Sequence, residues 1–305
     1  MSKGEIGFVG LGRMGFPMTR NLAAAGYHVH AHDVLPEAMR RAAGVAGVTA
    51  HPSPRDVAAA ASVVFTALPN DAIVRETYLG PSGLLVGGRP GLVTCDCSTV
   101  SPGATLEVHG AAKARGIHHL DTPMLGSSPQ AESGEIFFMV GGDEAQMPVI
   151  RPLLDVMGRL TMYVGPAGTG NRIKLLHNAL GAVNSVAVAE SLALCDAVGV
   201  DPRTYYDVVK NGGGMAYSTY FDRRVMRVVD GNYDPTFTLD LMLKDVTLAA
   251  DMAGSLLAKL PILRETLAAY REGARRGAGG EDFSAVTHVL EDRVGRRLFG
   301  ARPRL

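Results

Sequence analysis

The chain has 305 residues, 30 Lys+Arg against 30 Asp+Glu, 37 Gly, 3 Cys and 47% hydrophobic residues. At about 150 residues per domain this length predicts two domains, or one large one, and the apolar content excludes wholesale disorder. Zero formal net charge argues against nucleic acid or a membrane surface as partner, and three cysteines cannot build a disulfide framework, so a cytoplasmic, reducing setting is expected.

The opening residues lead directly into an apolar strand without the length or cleavage pattern of a signal peptide. Ile6–Gly10 reads as a buried strand, Met14–Ala25 as a helix and Val29–Asp33 as a second strand. A helix begins at Pro36, where a proline costs no hydrogen bond. Val63–Ala67 and Leu92–Asp96 continue the strand series, with helices at Asp71–Tyr78 and Pro102–Arg115; His118–Asp121 and Ile136–Val140 follow as strands. Strands alternating with helices predict an α/β fold, a doubly wound and mostly parallel sheet covered on both faces. After Gly168-Thr169-Gly170 the pattern changes: Ile173, Leu176, Leu180, Val183, Ala187, Leu192 and Leu194 recur at helical spacing. Further helices are predicted at Pro202–Lys210, Met215–Val229, Leu239–Ala253, Leu260–Tyr270 and Ser284–Val294, with a loop over Gly273–Gly280. This places an α/β domain over residues 1–168 and an all-helical domain over 169–305. The stretch Val57–Pro69 is too short to span a bilayer; Asn178–Val200 is long enough, but Asn184, Glu190 and Asp196 interrupt it, so a buried helix is expected. From Arg271 onward eight Arg face five acids, which reads as a solvated surface.

Gly10-Leu11-Gly12-Arg13-Met14-Gly15 follows a strand and opens a helix, the context a dinucleotide-binding G-x-G-x-x-G requires. The first glycine allows a tight turn, the second lets backbone approach a pyrophosphate, and the third permits close helix–strand packing; the helix start offers N–H groups to the anion. Asp33 ends the second strand 18 residues past Gly15, placed to accept from ribose hydroxyls and to repel a 2′-phosphate. NAD is therefore the expected cofactor, with Arg40 and Arg41 near enough to keep NADP open.

The run from Gly10 to Gly26 resembles the N-terminal signature of the β-hydroxyacid dehydrogenase family, typified by 3-hydroxyisobutyrate dehydrogenase. The resemblance continues through Leu68-Pro69-Asn70, Asp96–Thr99, Asp121-Thr122-Pro123, Gly170–Asn178 and Lys244-Asp245, in the family's order along essentially the whole chain. It implies a Rossmann-type domain, a long helix leading into an all-helical substrate and oligomerisation domain, and a homodimer or homotetramer. Lys174 and Asn178, four apart on one helix face, match the family's general acid/base lysine and its orienting amide. A lysine of ordinary pKa is a poor base near neutrality, so such a role calls for burial to lower it. The resemblance further places Leu68, Pro69, Asn70, Thr99 and Lys244 against the cofactor, alongside Gly10, Leu11, Gly12, Arg13, Met14, Gly15 and Asp33. It places Ser98, Asn178 and Asp245 towards a small anionic substrate.

One segment departs from the family. The usual Val-Ser-Gly-Gly after Asp-x-Pro is here Met124-Leu125-Gly126-Ser127, followed by Ser128. Leu125 cannot donate a hydrogen bond, while Gly126 leaves a bare N–H and Ser127 and Ser128 offer hydroxyls, so these three are taken as substrate-binding. The expected reaction is hydride transfer between NAD and a small β-hydroxyacid; an alternative is reduction of a small aldehyde acid of the semialdehyde or sulfolactaldehyde kind. A non-catalytic dinucleotide-binding module predicts loss of the lysine, which is present. No metal is expected, since Cys95-x-Cys97 lacks a second Cys/His cluster with zinc spacing. His118 and His119 straddle a strand, one to each face, and His177 points away from Lys174 on an ideal helix.

Overall fold

The computed structural model describes residues 3–295. The chain divides into two compact units, residues 1–174 and 175–305, and the division falls inside the helix Thr169–Ala197.

In the first unit nine strands form one sheet among the described residues. They are β1 (Glu5–Val9), β2 (His28–His32), β3 (Val48–Ala50), β4 (Val63–Thr66), β5 (Val93–Asp96), β6 (His118–Asp121), β7 (Met124–Leu125), β8 (Ile136–Gly141) and β9 (Gly158–Gly165). Their order is β3-β2-β1-β4-β5-β6-β8-β7, with β9 also pairing β8. β1 to β6 pair in parallel, and β8 runs antiparallel to β6 and β7. The strands are short apolar runs because both faces are covered. Ile6, Phe8, Val29, Ala31 and Phe65 pack on one side with Leu11, Met18 and Leu22. Val9 and Val64 pack on the other with Val57, Val74, Tyr78 and Val108. The chain winds outward from β1 in both directions, so the crevice of such a sheet lies beyond the carboxyl ends of β1 and β4.

Several elements escape the sequence pattern. The apolar run Val57–Pro69 is split into the helix Pro54–Ala60 and strand β4, with Ser53 Oγ accepting from Asp56 N at 3.3 Å to start the helix. A continuous apolar run carries no period to reveal that break. β3, β7 and the helices Leu84–Gly87 and Ser128–Ser133 are too short to show periodicity, and the helix Met147–Met157 and β9 also go unpredicted.

The second unit is helical: beyond the long helix it holds Pro202–Gly212, Thr219–Val229, Leu239–Ala253, Pro261–Arg275 and Thr287–Arg293, and its described residues show only an isolated bridge, Thr238 to Asp282. Side-chain caps set the starts: Asp201, Ser218 and Thr238 accept from the backbone N–H three residues on. The Ser218 cap moves the helix expected from Met215 to Thr219. The loop expected over Gly273–Gly280 is corrected: the helix runs to Arg275 because buried Gly273 packs under Leu239, and Ala278–Gly280 form a single 3-10 turn. The helix expected over Ser284–Val294 opens as a 3-10 turn, Phe283–Val286. The arginines of the expected solvated tail include Arg296, Arg297, Arg302 and Arg304, which lie outside the described residues. Thr169–Ala197 is the one described helix long and apolar enough to cross a membrane. Its buried Ser185 hydroxyl meets Tyr270 Oη at 2.6 Å, but the expectation of a buried helix is corrected: only 39% of its most apolar window is buried, and Leu176, Leu180 and Leu194 are exposed because one face of the helix has no described segment packed on it.

Candidate active site

The glycine loop leaves β1 at Gly10, whose φ of +91° lies in the left-handed region. A Cβ at Gly15 would stand 1.8 Å from Gly10 O, so the helix Gly15–Ala24 begins in direct contact with the end of the strand. At Gly12 a Cβ would meet nothing within 4 Å, so space lies open there. No side chain caps this helix and its first turn holds no acid. Buried Leu11 anchors the loop from below, while Gly12 and Arg13 are exposed and Met14 is half-buried. These features fit an anion at the helix start.

Asp33 closes the loop from the side. Its Oδ2 accepts from Leu11 N at 2.6 Å and its Oδ1 from Leu35 N at 2.8 Å. Arg41 donates to Leu11 O at 2.7 Å and stacks 4.0 Å from the Phe16 ring, so its guanidinium is already engaged. On the β4 side Leu68 is half-buried, Pro69 and Asn70 are exposed, and Asn70 Oδ1 caps the next helix through Ile73 N at 3.0 Å.

The segment after β5 is more constrained than its sequence suggests. Ser98 is buried, and its hydroxyl accepts from Leu68 N at 2.8 Å while its own N–H donates to Asp96 Oδ1 at 3.1 Å. Ser98 thus ties the β4 and β5 loops together. Burial raises the Asp96 carboxyl above its ordinary range, and Thr66 Oγ1 donates to it at 2.7 Å. Thr99 follows, half-buried.

Two residues quoted in the motifs but given no role fix the start of the long helix. Asp121, buried at the end of β6, accepts from Gly168 N at 2.8 Å and Asn171 N at 2.9 Å. A carboxylate is well placed at a helix N-terminus, though burial still raises the pKa of this one. Asn171, fully buried, accepts from Val100 N at 3.3 Å and donates to Thr105 Oγ1 at 3.1 Å. Lys174 lies one turn further along, half-buried.

In the second unit Asn178 is buried and donates to Asp245 Oδ2 at 2.6 Å. Asp245 is itself buried, and Lys244 Nζ lies 3.1 Å from its Oδ1 as an ion pair. Asp245 therefore fixes the Asn178 amide. His177 is exposed, as expected of its helix face, yet its Nδ1 reaches Asn178 Oδ1 at 3.0 Å, a contact the ideal helix did not suggest.

The departing segment serves local structure. Gly126 sits at φ +144°, and a Cβ there would meet Ile136 Cδ1 at 2.6 Å. Ser127 donates both its N–H (2.9 Å) and its hydroxyl (2.6 Å) to Gln130 Oε1 at the start of the helix Ser128–Ser133. Its hydroxyl proton is thus committed, and Ser128 is the first residue of that helix. Cys95, Cys97 and Cys195 are buried free thiols; burial pushes Cys97 up to about 12, so none is a reactive thiolate. His119 is buried while His118 stays accessible, in keeping with their opposite faces. A carboxylate–imidazole cluster the sequence did not reveal, Glu5 with His28 and His30, lies at the opposite end of β1 from the loop.

Residues 5–165 match the family model described as the NAD-binding domain of 6-phosphogluconate dehydrogenase, and residues 168–290 the one described as NAD-binding of NADP-dependent 3-hydroxyisobutyrate dehydrogenase. With a glycine loop shaped for a pyrophosphate, this is an NAD(P)-dependent oxidoreductase acting on CH–OH groups. The chain is 35% identical over 298 residues to 2-(hydroxymethyl)glutarate dehydrogenase of Eubacterium barkeri, covering 98% of both chains. It is 34% identical to the NAD-dependent L-serine dehydrogenase of Pseudomonas aeruginosa, covering 96% of this chain and 99% of that one. The solved structure of Mycobacterium tuberculosis 3-hydroxyisobutyrate dehydrogenase with L-serine superposes with a TM-score of 0.86 at 32% identity, over 95% of this chain and 99% of that one. The chain belongs to the β-hydroxyacid dehydrogenase family.

Proposed function

We propose that the protein oxidises a small β-hydroxyacid of the form HOCH2–CH(R)–COO⁻ with NAD, Lys174 acting as general acid/base. The observation that carries this reading is the long helix: Asp121 and Asn171 hold its first turn, and it presents Lys174 and, one turn on, an Asn178 amide locked by buried Asp245. The three relatives named above supply the substrate class. 3-Hydroxyisobutyrate, L-serine and 2-(hydroxymethyl)glutarate share a primary hydroxyl one carbon from a carboxylate-bearing carbon and differ only in R.

NAD, when bound, supplies the acceptor for the substrate's carbinol hydride. Lys174 takes the hydroxyl proton as the alcohol becomes an aldehyde, and returns it in the reverse direction. Asn178 holds the reacting oxygen through its amide, and Asp245 keeps that amide in one orientation. Lys244, Thr99, Leu68, Pro69 and Asn70 line the cofactor, and Ser98, Gly126, Ser127 and Ser128 shape the substrate side. Ser98 acts through the Leu68 backbone it holds and Ser127 through its bonds to the Gln130 side chain. Asp33 favours NAD over NADP, helped by the engagement of Arg41 with the loop. We place the domain boundary near residue 168 and the enzyme in the cytoplasm, where its three free thiols are at home. We assign it a homo-oligomeric state built on the exposed apolar stripe of the long helix, which includes Leu176, Leu180 and Leu194.

The test is an NADH-absorbance assay over a panel of 2-hydroxymethyl acids. Lys174→Ala should lose about 10²–10⁴-fold in kcat while still binding NADH. A kcat in Lys174→Ala close to the parent's, or turnover by the parent with no member of the panel, refutes the reading.

A further inference from the structure

At the end of the sheet away from the glycine loop, a polar cluster takes no part in the dehydrogenase reading. Parallel register pairs Glu5 with His28 at the starts of β1 and β2. His28 and His30, two apart on a strand, project from one face, and the residue paired with His30 is Gly7, which puts no side chain between them. Glu5 Oε2 accepts from His28 Nδ1 at 2.9 Å and from His30 Nε2 at 2.8 Å. The three ligand atoms all lie within 4.8 Å of one another.

We propose that Glu5, His28 and His30 bind a divalent cation of the zinc class, fastening the start of β1 to β2. Two imidazoles and one carboxylate are a three-ligand set that leaves a fourth position for water. Such nitrogen donors favour zinc over magnesium or calcium, which take oxygen. Bonds of about 2.0–2.1 Å in tetrahedral geometry separate ligand atoms by about 3.4 Å. The carboxylate must therefore withdraw from each imidazole by about half an ångström. The Glu5 and His28 side chains are 45% and 37% exposed, so they have room to adjust and the ion has a path from solvent.

The remaining ring nitrogens are also provided for. Coordination through His28 Nδ1 and His30 Nε2 puts the proton on the other nitrogen of each ring. His28 Nε2 lies 2.8 Å from Thr49 Oγ1, and His30 Nδ1 lies 2.8 Å from His51 Nε2. Both partners are acceptors when His51 is neutral, and this outer support orients ligating imidazoles. The site is a fastening for the strand that leads into Gly10, five residues and about 16 Å from Glu5. Its effect falls on stability.

The experiment uses tag-free, chelator-treated protein titrated with Zn²⁺ by calorimetry, with thermal unfolding in parallel and Co²⁺ as a spectroscopic probe. One Zn²⁺ per chain, a Tm raised by several degrees, and the intense visible bands of tetrahedral Co²⁺ are expected, with no response to Mg²⁺. Glu5→Gln and His28→Ala, both at accessible side chains, should each weaken Zn²⁺ binding by about tenfold or more while unfolding near the parent Tm without metal. Absence of Zn²⁺ binding overturns the proposal. So does binding that both variants retain at parental strength, which places the ion elsewhere.

Discussion

A methyl group added at Gly12 or at Gly15 should separate cofactor binding from folding. At Gly15 the new Cβ would lie 1.8 Å from Gly10 O and 2.9 Å from Phe8 Cε1. The first obstacle is backbone, held by Gly10 N donating to His32 O at 2.9 Å, and cannot rotate aside as a flexible side chain does. Overpacking of this kind costs about 1–3 kcal/mol, occasionally more, and so close a contact belongs at the upper end. At about 2–4 °C per kcal/mol for a unit of this size, Gly15→Ala should lower Tm by about 6–12 °C. At Gly12 nothing lies within 4 Å and φ is outside the left-handed region, so Gly12→Ala should fold as well as the parent or gain about 0.4–1 kcal/mol. The same space is the approach to the uncapped helix start, and a methyl there holds a pyrophosphate off the N–H groups. Losing one charge-assisted hydrogen bond of about 1.5–3 kcal/mol weakens binding about 10- to 150-fold. NADH fluorescence titration with thermal unfolding of both variants reads the two effects. Parental NADH affinity in Gly12→Ala, or parental stability in Gly15→Ala, would falsify the placement of the anion or of the packing contact.

Asp33→Asn keeps an acceptor for Leu11 N but removes the charge, so kcat/KM for NADP relative to NAD should rise about tenfold or more; an unchanged ratio sinks the role given to Asp33. Asp245→Asn releases the Asn178 amide from a 2.6 Å bond to a carboxylate, and kcat should fall about 10-fold; parental kcat would remove Asp245 as a positioning residue. His119 is held at a pKa of about 3, by burial first and His109 second. Below its ordinary value of about 6.5 only the unfolded chain takes up that proton, so this stability is full above pH 6.5 and lost as pH falls towards 3, by about 2 kcal/mol at pH 5. Denaturant unfolding of the parent and His119→Gln at the two pH values checks this: equal acid losses count against it. Leu176 and Leu180 are 60% and 63% exposed one turn apart, and a Leu176→Asp/Leu180→Asp variant should run as a monomer in light scattering where the parent runs as an oligomer; a monomeric parent refutes the interface.

What could be read from the sequence follows from how local its cause is. The glycine loop, the alternation of strands and helices and the helix Leu239–Ala253 rest on neighbours within a few residues, and their patterns are visible in one dimension. The fixing of the site is not. Asp121 and Asn171 are 50 residues apart, and Asn178 and Asp245 are 67 apart. The resemblance marks all four residues, but nothing in one dimension shows that the fold buries each beside its partner. Ser98 and Ser127 show a second kind of tie, since the Ser98 hydroxyl accepts from Leu68 N and the Ser127 hydroxyl donates to the Gln130 side chain, bonds that a hydroxyl near a binding loop does not announce in the sequence. The Glu5 cluster leaves one faint trace, the alternation His28-Val29-His30-Ala31-His32, which puts three imidazoles on one face of a strand. Zinc spacings drawn from Cys/His loops do not detect it, because its third ligand comes from the neighbouring strand by register.

The division of the chain inside a helix has a mechanical consequence. Thr169–Ala197 begins in the first unit, so the orientation of Lys174 is set by whatever fixes the first turn of that helix. That turn is held by polar groups that have no water to fall back on: the buried Asp121 carboxylate takes two backbone N–H groups, and buried Asn171 spends its amide on Val100 N and Thr105 Oγ1. Buried bonds of this kind cost the full desolvation of a partner when broken, about 1–3 kcal/mol each. The helix start is therefore discouraged from shifting by a fraction of a turn, whereas an apolar contact would let it slide. A base on a helix needs that rigidity, since a misplacement of about 1 Å at a reacting atom can cost 10²-fold in rate. If Lys174 is the proton carrier we propose, the buried Asp121 and Asn171 serve the chemistry at one remove, by holding still the start of the helix that carries it.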